Sequence, residues 1–327
     1  MKNRQVTRRK FMQRTTAGLA MAGAASRAGS AFEAAQSPHP SQSASVPTSA
    51  HGVPIAEVGT WLKSYRIWDV HTHLNRFAGA TTEEKVDDCL RWADHMRVER
   101  MLLLTAASGG RDPDAEGLRK MNDECVKAVK RAPDRFFGCA FMNPDYGQAC
   151  LDEMNRCVRD GPLVGIKFEF DTIRLASSPE MDPIISRIGE LHGVVMHHTF
   201  IQTTGSFRGE SSPKEMAILA RRHPSVTIFC GHTGGTWELG IRQMRGVPNL
   251  YSDLSGSDSV SGFTEMAVRE LGPEQVLYGS DIWGRSFASQ ISKVLGANIP
   301  DSARHLILGG NMRRLMEPVM KARGMKI

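Results

Sequence analysis

The chain has 327 residues, 41% of them hydrophobic and 23% charged, an ordinary globular composition that excludes collagenous and wholly disordered classes. The formal net charge of +6 is concentrated toward the start, at Lys2, Arg4, Arg8, Arg9, Lys10 and Arg14. The remainder is only mildly basic, and no basic block argues for nucleic acid.

The opening residues read as a targeting signal. Thr7-Arg8-Arg9-Lys10-Phe11-Met12 resembles the twin-arginine export consensus, and a weakly hydrophobic run rich in Ala and Gly follows to Ala25. That run is too short and too polar for a membrane span. Residues 1–35 are therefore expected to be a signal peptide and 36–54, rich in Ala, Ser, Pro and Gln, a flexible linker. Residues 55–327 form the expected folded domain. The leader implies a periplasmic or secreted protein that is exported already folded.

The folded part alternates with regularity. Strands are expected at 66–73, 101–106, 136–142, 163–170, 194–200, 226–232, 250–254 and 276–281. Helices are expected between them at 82–98, 114–131, 148–159, 182–191, 213–222, 237–244 and 263–271, with 287–295 and 303–316 closing the chain. Thr81 or Thr82 would cap the first helix ahead of Glu83-Glu84. Eight short apolar strands, each followed by a helix, predict a closed (β/α)8 barrel, a TIM barrel in one domain. An open doubly wound sheet would want a Gly-rich phosphate loop after an early strand, and the first strand runs into His73-Leu74-Asn75-Arg76-Phe77 instead. Cys89, Cys125, Cys139, Cys150, Cys157 and Cys230 form no CxxC pair. Their scatter fits buried small hydrophobes better than a disulfide framework, and a single bridge stays open.

Barrel chemistry sits at the carboxyl ends of the strands. The first strand carries Trp68-Asp69-Val70-His71-Thr72-His73. Alternate strand residues share a face, so Asp69, His71 and His73 are expected on one side, with two imidazoles able to grip one cation. The fourth strand carries Lys167 and Glu169, read as a salt bridge at the rim. The fifth ends in His197-His198-Thr199, the sixth in Gly231-His232-Thr233-Gly234-Gly235 and the eighth in Gly279-Ser280-Asp281.

These motifs, with the closing Gly310-Asn311-Met312-Arg313-Arg314-Leu315, resemble the amidohydrolase superfamily over roughly residues 66 to 316, specifically its amidohydrolase-related branch of metal-dependent hydrolases and non-oxidative decarboxylases. The resemblance implies that His71, His73, a fifth-strand histidine and Asp281 hold one divalent ion, zinc first and manganese as the alternative. Of the fifth-strand pair, His198 carries the threonine that follows in the family. Successive strand residues face opposite ways, so His197 should point toward the helices. The resemblance makes Asp281 also the acceptor of a water proton, and His232 the group that polarises or protonates the substrate. A second ion would require a carbamylated Lys167.

Lys167, Arg208, Trp283 and Arg285 are expected to contact substrate, an arginine being suited to a carboxylate. The sequence thus predicts a metal-dependent hydrolase of an ester, lactone or amide bond in a small organic molecule, and the resemblance adds the expectation of a homodimer. A non-oxidative decarboxylase of an aromatic or muconate-type acid is the first alternative, and a catalytically inactive ligand-binding barrel the second.

Overall fold

The computed structural model describes residues 62–325 apart from 106–113, 170–173, 205, 208 and 283. The leader, the linker, Arg111, Arg208 and Trp283 lie outside the described residues, as does the side chain of Arg76. Eight strands, β1 (Ile67–His73), β2 (Val98–Leu104), β3 (Phe136–Phe141), β4 (Gly165–Phe168), β5 (Val194–His197), β6 (Thr227–Cys230), β7 (Leu250–Asp253) and β8 (Val276–Leu277), pair in sequence order, every pair parallel. The circle closes through backbone hydrogen bonds from Val70 N–H to Tyr278 O (3.1 Å), Asp281 N–H to His71 O (2.8 Å) and His73 N–H to Ile282 O (3.2 Å). This is the expected (β/α)8 barrel.

The helices are α1 (Thr82–His95), α2 (Ala115–Arg131), α3 (Gln148–Met154), α4 (Asp182–Glu190), α5 (Pro213–Arg222), α6 (Trp237–Met244), α7 (Phe263–Leu271), α8 (Phe287–Leu295), α9 (Asp301–His305) and α10 (Asn311–Ala322). Thr81 caps α1, its side chain accepting from Glu84 N–H while Glu84 answers in a capping box. The expected helix 148–159 ends in a π turn at Asn155–Arg159, and the closing one is interrupted by another at Leu306–Gly310. The last helix runs on past Pro318 to Ala322, beyond its expected end. Among the described residues no helix is long and apolar enough to cross a membrane.

Strand alternation sorts the core into two layers. Ile67, Met101, Leu103, Ile166, Val195 and Ile228 face the helices. Trp68, Val70, Leu102, Leu104, Phe137, Met196, Phe229 and Leu277 fill the barrel, and Met312, Leu315, Met316, Val319 and Met320 of α10 pack with them as a floor. Each large apolar side chain buried this way contributes roughly 1.5–3 kcal/mol. All six cysteines are buried and free, in keeping with their reading as small hydrophobes.

One local departure from alternation decides the site. β1 pairs Asp69 with Met101 and then Thr72 with Leu103, so three steps on β1 oppose two on β2. The extra residue is a β-bulge, which re-aims the side chains that follow it. Trp68 and Val70 face inward before the bulge, and His71 and His73 face inward after it. Asp69 therefore does not share their side. Its carboxylate, fully buried, accepts from the backbone N–H of His71 (2.8 Å) and of Ser280 (2.9 Å) and from the hydroxyl of Thr72 (2.9 Å). It fastens the bulge and the β8 end together, and desolvation raises its pKa to about 6.

Candidate metal centre

His71 and His73 bring their Nε2 atoms to 3.0 Å from each other. Asp281 Oδ1 stands 3.4 Å from His73 Nε2 and 3.9 Å from His71 Nε2. A ligand atom from each of His71, His232 and Asp281 also falls within 4.8 Å of the other two. His198 belongs to the outer part of the same group: its Nδ1 lies 3.2 Å from His232 Nε2 and 3.5 Å from Glu169 Oε2, and its Nε2 lies 3.5 Å from Glu210 Oε1. The structure therefore gathers His71, His73 and Asp281 directly, with His198 joined to them through His232. His197 lies on the other side of β5, its ring 5.5 Å from that of Phe168 in the helix-facing layer.

The backbone bends to make this mouth. His232, Thr233 and Asp281 all have φ near +50 to +60°, in the left-handed region that is uncommon for any residue but glycine and rarest for a β-branched one such as Thr233. Such strain persists where the surrounding structure over-determines it and clusters at functional sites. Gly256, at φ +80°, lies against the imidazole of His232 where a β-carbon would stand 2.1 Å from Nδ1.

Two residues absent from the sequence expectations complete the centre. Asp253, at the carboxyl end of β7, has Oδ2 2.7 Å from His71 Nδ1, both side chains fully buried. Ser255 donates to the same oxygen at 2.6 Å, and its Oγ lies 3.1 Å from His232 Nδ1. Burial alone would raise the Asp253 carboxyl, but the adjoining His71 imidazole, with Ser255, holds it near 2. Burial favours the neutral form of His71 and pulls His232 down to about 3. A carboxylate only accepts, so the proton of neutral His71 is on Nδ1 and its Nε2 carries a bare lone pair. The hydroxyl of Ser255 is spent on Asp253, so His232 Nδ1 is likewise the donor. The signal that could have found these residues is the polar Ser252-Asp253-Leu254-Ser255 run ending an otherwise apolar strand.

Lys167 and Glu169 pair at 3.2 Å, with side-chain exposures of 0% and 8%. The expected rim salt bridge is thus a buried one, because β4 turns both residues inward beneath the histidines. Burial would raise the Glu169 carboxyl, but Lys167 and the neighbouring histidines hold it at about 2. Arg285 stands at the rim, its Nε 3.4 Å from Asp258 Oδ1, beside a cleft lined by Phe77, Trp92 and Phe287.

The donor set fits a small divalent cation. Ligand atoms on a zinc ion, at 2.0–2.2 Å in a tetrahedron, stand roughly 3.3 Å apart, close to the 3.0 and 3.4 Å found here. His71 Nε2 turns a lone pair toward His73 Nε2, where it could accept from that ring or bind a cation in its place. His71 also shows the carboxylate–imidazole pairing that ligating histidines use to fix their orientation. By donor chemistry His71, His73 and Asp281 would hold the ion, with His232 and His198 beside it.

A closed parallel barrel with imidazoles and a carboxylate collected at its strand ends defines the class of metal-dependent barrel enzymes. The chain belongs to the amidohydrolase family, whose profile matches residues 68–316, and it is an enzyme of that family. No curated protein matches it. Among solved structures it is similar to 2,6-dihydroxybenzoate decarboxylase from Rhizobium, at 18% identity over 77% of this chain and 98% of that one, TM-score 0.61. A dihydroxybenzoic acid decarboxylase from Polaromonas, with bound manganese and the inhibitor 2-nitroresorcinol, is similar at 18% identity, covering 77% and 96%, TM-score 0.61. 4-Oxalomesaconate hydratase from Rhodopseudomonas palustris is similar at 15% identity, covering 79% and 98%, TM-score 0.58. At these identities the likeness is one of fold.

Proposed function

We propose that this enzyme is a metal-dependent hydrolase that cleaves an ester, lactone or amide bond of a small organic molecule. The observation that supports it is the convergence of His71, His73 and Asp281 on one point, with a neutral His232 alongside. A divalent cation held there, zinc or manganese, supplies a Lewis acid and makes water acidic enough to ionise near neutral pH. Asp281, kept ionised by His73 and His71 despite its burial, accepts the proton of the attacking water. His232, its Nε2 beside His198 Nδ1 at 3.2 Å, is placed to carry that proton to the leaving atom. Lys167 keeps Glu169 ionised beneath the histidines and neutralises the cluster from below.

A second reading, non-oxidative decarboxylation of an aromatic or muconate-type acid, is favoured by the dihydroxybenzoate decarboxylases among the similar structures. Here Asp281 would first take a proton from water and then deliver it to the carbon from which carbon dioxide departs. Purified protein loaded with zinc or manganese should hydrolyse members of a lactone, aryl ester and amide panel, followed by acid release in a pH-stat. Carbon dioxide released anaerobically from hydroxybenzoates, with no hydrolysis of the panel, would replace the first reading with the second.

The twin-arginine leader supports export to the periplasm, which replacement of Arg8 and Arg9 by lysine should block in a cell-fractionation assay. The homodimer proposed on the resemblance is tested by light scattering.

A further inference from the structure

His71 and His232 come from strands on different sides of the barrel, yet their Nδ1 atoms converge on one two-residue device. Asp253 Oδ2 takes the N–H of His71 at 2.7 Å and the O–H of Ser255 at 2.6 Å, and Ser255 Oγ lies 3.1 Å from Nδ1 of His232. Asp253 Oδ1 is engaged by the backbone N–H of Ser255 at 2.9 Å, which locks the carboxylate's rotation. The segment is pinned from behind: buried Lys293 of α8 donates to Leu254 O at 2.5 Å and to Ser257 Oγ at 3.2 Å. Asp253, Ser255 and His71 are all fully buried, so no water competes for these bonds.

We propose that Asp253, directly and through Ser255, is the positioning residue that sets the tautomer of both His71 and His232, so that both bare Nε2 atoms face the reaction space. The direction of donation allows no other outcome for neutral rings. An acceptor-only carboxylate receives from His71, the hydroxyl has already given its proton to that carboxylate, and His232 must therefore donate to the hydroxyl oxygen. One carboxylate thereby prepares a ligand nitrogen on β1 and a proton-accepting nitrogen at the end of β6. The inference rests on the metal-centre reading, in which His71 is a ligand, and adds the group that prepares it.

The test is made first on metal-free protein, by 15N NMR of histidine-labelled wild type, D253N, S255A and S255T, and then by metal affinity measured in competition with a chromogenic chelator. Wild type should show His71 and His232 as Nδ1–H tautomers. S255A should shift His232 toward the Nε2–H form, and S255T, which restores a hydroxyl, should return it. D253N should move His71 as well and weaken metal binding about 10–100-fold, the usual effect of removing such a partner. Unchanged tautomers in S255A and D253N, or wild-type metal affinity in D253N, would overturn the proposal. If D253N does not fold, the S255A and S255T spectra decide it. A wild-type protein that shows the Nδ1–H tautomers but takes up no metal would sink the metal-centre reading instead.

Discussion

Gly256 lies so close over His232 that a β-carbon would meet the ring at 2.1 Å from Nδ1, and its φ of +80° is one that side-chain-bearing residues avoid. G256A is therefore expected to push the imidazole off Ser255. A displacement of about 1 Å at a catalytic group can cost on the order of 10²-fold in rate, and the left-handed backbone adds about 1–2 kcal/mol of strain. Steady-state kinetics and a melting curve on the same preparation check both. Wild-type kcat/KM would show that the ring position is not needed.

Asp69 should be a stability residue rather than a ligand. D69A leaves the N–H groups of His71 and Ser280 without their acceptor in a dry part of the β1–β8 seam. Each orphaned group costs about 1–3 kcal/mol, so urea unfolding should show a loss of roughly 2–5 kcal/mol. D69N, which keeps one acceptor oxygen, should lose less.

The Lys167–Glu169 pair predicts strong non-additivity. Removing one partner strands a buried charge, and K167M alone should destabilise by about 3–5 kcal/mol, whereas K167M with E169L should recover most of that. A double-mutant cycle measures it. Simple additivity would mean that the pair is solvated after all.

Alkaline pH should weaken the fold. Burial raises the thiols of Cys139, Cys150 and Cys230 to about 12 and lifts Cys89, Cys125 and Cys157 as well. Between the unfolded thiol pKa of about 8.5 and these folded values the native state binds more protons, so stability falls with rising pH, by about 1.4 kcal/mol per unit for each thiol. Lys293 works the other way: burial lowers it to about 8, so its desolvated charge is relieved above that pH, but it is one group against six. Denaturant midpoints between pH 8 and 10 should fall steeply, and less so in a C139A, C230A variant.

Metal removal should destabilise the protein as well as silence it. A ligand at 100 times its Kd adds about 2.7 kcal/mol, so chelation should lower the melting temperature of wild type and leave an H71A, H73A variant unmoved. D281N should retain some bound metal while losing about 10²–10⁴ in rate if it serves as the general base.

The barrel and most of its mouth were legible because apolar runs, breakers and strand-end histidines are local signals. His71, His73 and Asp281 could be placed on one rim from the rule about strand ends alone. Asp69 was misplaced because period-two alternation assumes an unbroken ladder, and the bulge exists only in the register of β1 against β2. Asp253 went unread for a different reason: its partner is 182 positions away, and an aspartate after Ser252 resembles any strand terminus. The Lys167 pair was recognised, but its depth was not, since burial is set by the neighbouring strands.

Among the described residues, Met312, Met316 and Met320 close the floor of the cylinder in one buried apolar cluster with Val70, Met196 and Phe229. Incoming molecules and spent ones are then expected to share the doorway at the strand ends. A product that lingers there blocks its own successor, so turnover should show competitive inhibition by whatever the enzyme makes.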